Sequence, residues 1–322
     1  MSLLSKNILT KLSVRQLPLP GTSLACHALR KQENSSVGAV VKVLSKDPLS
    51  TLSILKRANE AYYGLQGTVN SLTHAVEILG PQHVLRMLSV DLNPSSFNIP
   101  LHLVMHHGFV TAQIAHRIAS GSWLWQNKHE RHVGGVFTAG LLHNIGRLAV
   151  CVTYPAEACR LYGFDNDTFP ISGTLREIER LQFGADYVDM GAFIASKFRL
   201  PSGLSNVIRF HANPSDLDVK DDTYRLVETI NAASEIASSL GYGINPQGSI
   251  LHDATSQGLH WLEHEQPGCF AQILSESHDN LVQLDVFNAN KTPFAFSPDR
   301  LPKPWETHTN ERVSSFYQTM GQ

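Results

Sequence analysis

The chain has 322 residues, 42% of them hydrophobic and 17% charged, which is the composition of a soluble globular protein with a large core. A formal net charge of −2 gives no bulk attraction to nucleic acid or to an anionic membrane. The four cysteines lack CxxC spacing, which argues against a disulfide framework and against a cysteine zinc site. Because no window approaches the roughly 18 apolar residues of a membrane span, and residues 1–16 lack the apolar block of a signal peptide, we predict a cytoplasmic protein.

The first third of the chain carries start and stop signals for several short helices. Ser36 is placed to cap a helix, and Asp47-Pro48 combines an N-cap with proline at the first helical position. Ser71 begins another helix, which ends at Gly80-Pro81, where the next one starts. No strand-like alternation accompanies these signals. We therefore predict that residues 13–92 form a compact all-α bundle.

The second half follows a polar, proline-bracketed linker at residues 93–100. A long helix is predicted over residues 101–119, with His107 on its core-facing stripe and His106 on its outward-facing stripe. Another buried helix follows and stops at the polar pair His143-Asn144. Two interpretations of the pair are open: it belongs to a metal site, or it is a hydrogen-bonded core pair that closes a helix end.

The segment around this pair resembles the signature of a known family. Its residues are Ala139-Gly140-Leu141-Leu142-His143-Asn144-Ile145-Gly146-Arg147-Leu148. The signature Gly-Leu-Leu-His-Asp-Ile-Gly-Lys/Arg-Leu is that of the HDOD domain (HD-related output domain), a branch of the HD metal-dependent phosphohydrolase superfamily. Four earlier segments are similar to the HDOD pattern in its order and spacing: Leu17-Pro18-Leu19-Pro20, Leu44 to Pro48, Arg57-Ala58-Asn59-Glu60-Ala61-Tyr62-Tyr63-Gly64 and Ala75 to Gly80.

This resemblance, which covers residues from about 13 to 240, implies an all-α, HDOD-type architecture. An N-terminal helical bundle at residues 13–92 would pack on an HD-like helical subdomain at residues 101–240. Asn59, inside the third matching segment, is expected to cap or bridge backbone groups. Beyond the resemblance, residues 241–287 show helical patterns and are predicted to form a C-terminal helical extension. Residues 288–322, rich in Asn, Pro and Thr, are predicted to be a flexible tail.

The resemblance also implies a set of site residues. His107 matches the first metal-site histidine of the family, His143 matches the His of the signature, and His211 belongs to the pair that ends a later helix. Glu179 and Tyr187 match the Glu and the final His of the family element Glu-x-x-x-Phe-Gly-x-x-His. The expected pocket therefore contains His107, His143 and His211 as metal ligands, with four further residues around them: Asn144, Glu179, Asp186 and Tyr187. Asp186 is also expected to be the N-cap of the next helix.

Three substitutions argue against a working dinuclear centre. Asn144 replaces the Asp of the signature and offers a neutral oxygen where a dication needs an anionic one. Tyr187 and Phe210 each stand where the family has an imidazole. The three remaining histidines could hold one zinc-like ion with an open fourth position. The favoured alternative is three neutral core histidines bonded to Asn144, Tyr187, backbone groups or water, with no cofactor.

Two functional hypotheses follow from the resemblance and the substitutions. The first is a non-catalytic regulatory scaffold of bacterial signal transduction, acting through signalling-protein partners or a nucleotide-type small ligand. The second is a metal-dependent phosphohydrolase that acts on a nucleotide or cyclic dinucleotide with a reduced, histidine-based site holding a single divalent transition metal. Neither a nucleic-acid partner nor a membrane partner is expected, because the basic residues form no convincing stripe.

Overall fold

A computed structural model describes residues 20–32, 35–60, 67–88, 99–121, 133–162, 174–238 and 242. Within these ranges the chain forms thirteen α-helices, one 3₁₀ turn at Pro214–Asp216 and no strand, so the all-α prediction is confirmed. The helices are α1 (Pro20–Arg30), α2 (Val37–Leu44), α3 (Pro48–Ala58), α4 (Leu72–Leu79), α5 (Pro81–Met87), α6 (Ile99–Gly121), α7 (Val133–Leu142), α8 (Ile145–Thr153), α9 (Pro155–Leu161), α10 (Leu175–Phe183), α11 (Tyr187–Lys197), α12 (Ser202–Phe210) and α13 (Tyr224–Ala237).

The predicted helix signals of the N-terminal half are confirmed by their hydrogen bonds. The Ser36 side chain accepts from the backbone N–H three residues along at 3.2 Å, and Ser71 does the same at 3.2 Å. Asp47 accepts from two N–H groups in the first turn of α3, at 3.1 and 3.0 Å. Gly80, with φ of 81°, separates α4 from α5 in a backbone conformation that other residues rarely adopt. Local sequence chemistry therefore sets the ends of these helices.

Asn59 bridges backbone groups, as predicted. Its amide donates to the carbonyl oxygens of Leu55 at 3.0 Å and Val69 at 2.9 Å, and its side-chain oxygen accepts from the Val69 N–H at 3.0 Å. Only 2% of Asn59 is exposed, so these bonds are shielded from water. The side chain thereby ties the end of α3 to the chain that leads into α4. The neighbouring residues 61–66 of the matching segment lie outside the described residues.

Glycines allow α6 and α7 to lie in direct backbone contact. The two helices run antiparallel, since His107 lies beside His143 and His116 beside Phe137. A Cβ on Gly108 would lie 2.9 Å from the carbonyl oxygen of residue 141, and one on Gly140 would lie 2.7 Å from a Cα of α6. These separations are too short for a side chain. The close approach brings His107 to the end of α7.

A second close contact joins α8 to α11. A Cβ on Gly146 would overlap the carbonyl oxygen of Tyr187, and one on Gly191 would lie 2.8 Å from a methyl carbon of Ile208 in α12. Helices α8, α11 and α12 therefore cross at two glycines, and the crossing places Tyr187 beside the segment that follows α7. One hydrophobic cluster of buried residues runs from Cys26 in α1 to Ala237 in α13, so the described helices share a continuous core.

Some predicted boundaries differ from the structure. Helix α6 begins at Ile99, so the last two residues of the predicted linker at 93–100 are helical. Pro100 is tolerated there because the first turn of a helix needs no internal N–H bond. The domain limits at residues 13–92 and 101–240 stay predictions. Apart from Tyr242, the predicted extension and tail at residues 241–322 lie outside the described residues.

In the part of the chain that the structure describes, no single helix is long and apolar enough to cross a membrane. One bent pair, residues 135–142 of α7 with α8, reaches the required length and composition only when both are taken together.

Candidate functional site

Three buried histidines from separate parts of the chain meet in the second half of the fold. His107 comes from α6, His143 directly follows α7, and His211 ends α12; they are 3%, 1% and 3% exposed. The ring centroids of His107 and His143 lie 5.2 Å apart, and those of His143 and His211 lie 4.9 Å apart. We call these three residues the histidine cluster. The tertiary structure therefore brings together the three histidines that the sequence singled out.

Each ring of the histidine cluster directs its Nδ1 at a backbone carbonyl. For His107, His143 and His211 the acceptors are, respectively, the oxygens of Tyr242 at 2.8 Å, Gly140 at 2.6 Å and Val207 at 2.9 Å. A carbonyl oxygen can only accept, so Nδ1 carries the proton in each ring. Each Nε2 consequently presents a lone pair.

Two of these lone pairs are taken by hydroxyl groups. The Ser234 hydroxyl, from α13, donates to Nε2 of His107 at 3.1 Å. The Tyr187 hydroxyl, from α11, donates to Nε2 of His211 at 3.1 Å. Since each ring accepts at Nε2 and donates at Nδ1, both imidazoles are fully hydrogen-bonded in their neutral form.

The third lone pair has no such donor. Nε2 of His143 has no hydrogen-bond partner among the described residues, and neither does the side-chain oxygen of Asn144 beside it. Both residues are almost completely buried, at 1% and 3% exposed. Two adjacent acceptors are therefore left without a donor in the interior, which is rare for buried polar groups.

Burial keeps the histidine cluster neutral. Loss of solvation is the largest cause, and it lowers the pKa of His107 to about 4 and that of His211 to about 3. The pKa of His143 lies well below its ordinary value, first because of burial and then because its proton would compete with protons on the two neighbouring rings. The nearby guanidinium of Arg147 lowers all three pKa values further. The cluster therefore resists added positive charge.

Glu179 organises a second buried network next to the cluster. One carboxylate oxygen pairs with Arg147 Nε at 2.9 Å and accepts from the Tyr162 hydroxyl at 3.2 Å. The other oxygen accepts from the Tyr187 backbone N–H at 2.9 Å. The Arg147 guanidinium lies 3.7 Å from the centroid of the Tyr187 ring, a cation–π contact that fixes this ring beside His211. Glu179 is 0% exposed, so α8, α9, α10 and α11 are joined here by one shielded carboxylate.

Asp186 is the predicted N-cap of α11 and has a second role. Its side chain accepts from the Asp189 N–H at 3.0 Å while the Asp189 side chain accepts from the Asp186 N–H, which is a capping box. Asp186 also pairs with Arg176 at 2.9 Å and with Arg180, both in α10. The carboxylate is 0% exposed, and these arginines provide its counter-charge.

Helix α13 supplies site residues that were not predicted from the sequence. Besides Ser234, Asn231 is fully buried and donates from its amide to the His211 carbonyl oxygen at 2.8 Å. Asn231 and Ser234 are three residues apart on α13, beside the apolar stripe of Ile230, Ala233 and Ala237. These two polar residues beside an apolar stripe were the sequence feature that could have predicted polar contacts from this helix to the site. His106, predicted to face outward, is half-buried because the Tyr242 ring packs edge-on against it at 4.9 Å.

Comparison with known proteins identifies the family. A family model of the HDOD domain matches residues 17–214, which is more than half of the chain. The chain belongs to the HDOD family. The HDOD domain is related to the HD phosphohydrolase superfamily.

The solved structures of two other proteins share the fold. The MmoQ response regulator of Methylococcus capsulatus strain Bath is 19% identical, with a TM-score of 0.59 over 82% of this chain and 99% of that one. A virulence factor of Campylobacter jejuni subsp. jejuni is 18% identical, with a TM-score of 0.59 over 95% of this chain and 98% of that one. An uncharacterized protein of Treponema pallidum (strain Nichols) is 20% identical over 198 residues. That alignment covers 61% of this chain and 37% of the relative, so the chain spans little more than a third of the relative's length.

The site of this HDOD protein does not fit the metal that the superfamily implies. No three His, Cys, Asp or Glu side chains among the described residues are arranged so that they could hold an ion. Two Nε2 lone pairs of the histidine cluster are taken by hydroxyls, and Asn144 offers a neutral oxygen. Glu179 and Asp186 are engaged by arginines. A divalent ion would therefore have to displace existing bonds without gaining a carboxylate ligand.

Proposed function

We propose that this HDOD protein is a non-catalytic regulatory module of signal transduction. The observation that carries the proposal is the engagement of Glu179, whose two oxygens serve Arg147, Tyr162 and the backbone of Tyr187. In the HD superfamily, carboxylates neutralise the metal ions that activate water for attack on phosphorus. With Glu179 committed to Arg147 and an amide at Asn144, the histidine cluster lacks the anionic groups for that chemistry.

The same contacts suggest how a regulatory module would work. His107 uses both ring nitrogens to hold the C-terminal part of the described chain: Nε2 bonds Ser234 of α13, and Nδ1 bonds the carbonyl of Tyr242. The His211 carbonyl is held by Asn231 of the same helix. A change in the packing of the histidine cluster would therefore move α13 and Tyr242. A signalling protein that contacts this region would sense the state of the buried cluster.

Two further considerations support a signalling role. The chain shares its fold, at 19% identity, with the MmoQ response regulator. The buried His143–Asn144 pair presents two acceptors without donors, which a small ligand carrying N–H groups, such as a nucleotide base, would satisfy once the site opened. The partners we propose are therefore signalling proteins and a nucleotide-type ligand.

The test is metal content and hydrolysis measured on the same preparation. Purified, untagged protein and its His143→Ala variant are analysed for bound elements and then incubated with nucleotides and cyclic dinucleotides plus Mg²⁺, Mn²⁺ or Zn²⁺. We expect no stoichiometric metal and no turnover in either protein, with the variant differing only in stability. About one equivalent of metal that disappears in the variant, together with metal-dependent hydrolysis, would contradict the proposal.

A metal-dependent phosphohydrolase is the second candidate function. The observation in its favour is the spacing of the histidine cluster, with ring centroids 5.2 and 4.9 Å apart and all three Nδ1–H groups held by carbonyls. Histidines that bind metal are oriented by such carbonyl contacts. This candidate would use one transition-metal ion on the three rings, and it requires the metal signal that the experiment above measures.

A further inference from the structure

The histidine cluster shares two features with metal sites, the Nδ1 contacts of its rings and the spacing of neighbouring rings. Each Nδ1–H is held by a carbonyl, so each Nε2 has the lone pair that a ligand needs. Two imidazoles on one tetrahedral ion, with metal–nitrogen distances near 2 Å, have ring centroids roughly 5 Å apart. The measured separations of 5.2 and 4.9 Å between neighbouring rings agree with this value. The spacing of neighbouring rings therefore does not explain why the histidine cluster fails to fit a metal ion.

The difference from a metal site lies in what occupies the lone pairs. Ser234 donates to His107, and Tyr187 donates to His211, each at 3.1 Å. Both hydroxyls are held on rigid supports. Ser234 is a half-buried residue near the C-terminal end of α13, and the Tyr187 ring packs under the guanidinium of Arg147 at 3.7 Å. An ion that bound both rings would break the buried Tyr187–His211 hydrogen bond and the partly buried Ser234–His107 hydrogen bond, and it would take the acceptor from each hydroxyl.

We propose that the hydroxyls of Ser234 and Tyr187 are the specificity determinants that exclude divalent metal from the histidine cluster. The inference rests on the proposed non-catalytic function and adds its physical cause. It differs from an explanation by charge alone, in which the amide of Asn144 would suffice to prevent binding. If the hydroxyls are decisive, a variant with a carboxylate at position 144 still binds no metal. A variant that also lacks the two hydroxyls binds metal.

The experiment compares metal binding by four full-length proteins. They are the wild type, Asn144→Asp, the triple variant Asn144→Asp/Tyr187→Phe/Ser234→Ala, and a control in which the two hydroxyl deletions are made elsewhere. The control carries Asn144→Asp with Tyr162→Phe and Ser53→Ala, which remove buried hydroxyls bonded to Glu179 and to the α3 backbone. Each protein is titrated with Co²⁺, whose visible absorption reports nitrogen ligation, and Zn²⁺ is then used as a competitor.

We expect the wild type, Asn144→Asp and the control to show no cobalt absorption in the visible range. The triple variant should bind about one equivalent, at least roughly 100-fold more tightly than Asn144→Asp, since each buried hydrogen bond is worth on the order of tenfold in affinity. Thermal melting establishes that each protein is folded. Should the triple variant not fold, Asn144→Asp/Ser234→Ala replaces it, with an expected gain of about tenfold.

The failures of the two proposals are distinguishable. If the triple variant and Asn144→Asp bind Co²⁺ equally weakly, the hydroxyls do not exclude metal, and the non-catalytic function stands. If Asn144→Asp binds as tightly as the triple variant, charge at residue 144 is decisive and the inference is wrong. If the wild type itself binds one equivalent of Co²⁺ or Zn²⁺ through the histidine cluster, both the inference and the proposed function are overturned.

Discussion

The buried histidines make the stability of this protein sensitive to mild acid. The pKa of an ordinary histidine is 6.5, and in the folded protein burial lowers the pKa of His107 to about 4 and that of His211 to about 3. Below pH 6.5 the unfolded chain therefore binds protons that the folded chain does not. The free energy of unfolding must fall as the pH falls from 6.5 to the folded pKa values, and it is insensitive to these groups above 6.5.

The magnitude follows from the width of that window. For each histidine, every pH unit between the unfolded and folded pKa values lowers the free energy of unfolding by roughly 1.4 kcal/mol. At pH 5, His107 therefore lowers the free energy of unfolding by about 2 kcal/mol. His211 adds about the same amount, and His143, whose pKa is lowered in the same direction, adds to the loss. A total near 4 kcal/mol or more is a large share of the roughly 5–15 kcal/mol by which small proteins are stable.

The assay is urea unfolding at pH 7 and pH 5 for the wild type, His107→Gln and His74→Gln. Glutamine does not titrate, so His107→Gln is less stable at pH 7 but should lose about 2 kcal/mol less than the wild type between the two pH values. His74 is exposed, and its replacement should leave the wild-type difference unchanged. If wild type and His107→Gln lost equal stability on acidification, His107 would not be a buried neutral residue, and the hydrogen-bonding scheme of the cluster would be refuted.

Three further predictions concern packing and buried polar groups, each measured as the free energy of unfolding. Glu179→Gln breaks a buried ion pair and should cost about 3 kcal/mol. The control Glu77→Gln, at an exposed position of α4, should change stability by less than about 0.5 kcal/mol, and equal effects would contradict the network. Gly146→Ala should cost about 3 kcal/mol or prevent folding. The control Gly38→Ala, where a Cβ meets nothing within 4 Å, should stabilise α2 by about 0.5–1 kcal/mol. If alanine at residue 146 were tolerated, the close helix crossing would be refuted. Asn59→Ala removes three buried hydrogen bonds and should cost about 2–3 kcal/mol, and a loss below about 0.5 kcal/mol would show that water replaces them.

Local chemistry made the helix ends of this protein predictable. Ser36, Asp47 and Ser71 cap the helices that they were predicted to cap, because a side-chain oxygen next to free N–H groups acts within three residues along the chain. Asn59 and the N-cap role of Asp186 were predictable for the same reason. Helical spacing likewise indicates which side chains are inward, since it depends only on the 3.6-residue period.

Family resemblance adds what periodicity cannot. It assigned His107, His143 and His211 to one site although more than a hundred residues separate the first from the last, and the structure places neighbouring rings about 5 Å apart. Their assignment as ligands stays a prediction, as do the domain limits and the partners. Tyr187 and backbone groups were predicted partners of the three rings, and the structure shows both kinds of bond. Ser234 was not predicted, because a donor to a buried imidazole can come from any helix that packs against it.

The sequence by itself determined the helical class, the family, the helix caps and the inward position of the three histidines, since these depend on local patterns or on a linear motif. Only the tertiary structure decided that Ser234 bonds His107, that the histidine bonded by Tyr187 is His211, and that Glu179 contacts Arg147 and two tyrosines. Those partners lie on different helices, brought together where glycines let α6 meet α7 and α8 meet α11. A hydrogen bond depends on distances of a few tenths of an ångström between such helices, and no local pattern encodes them.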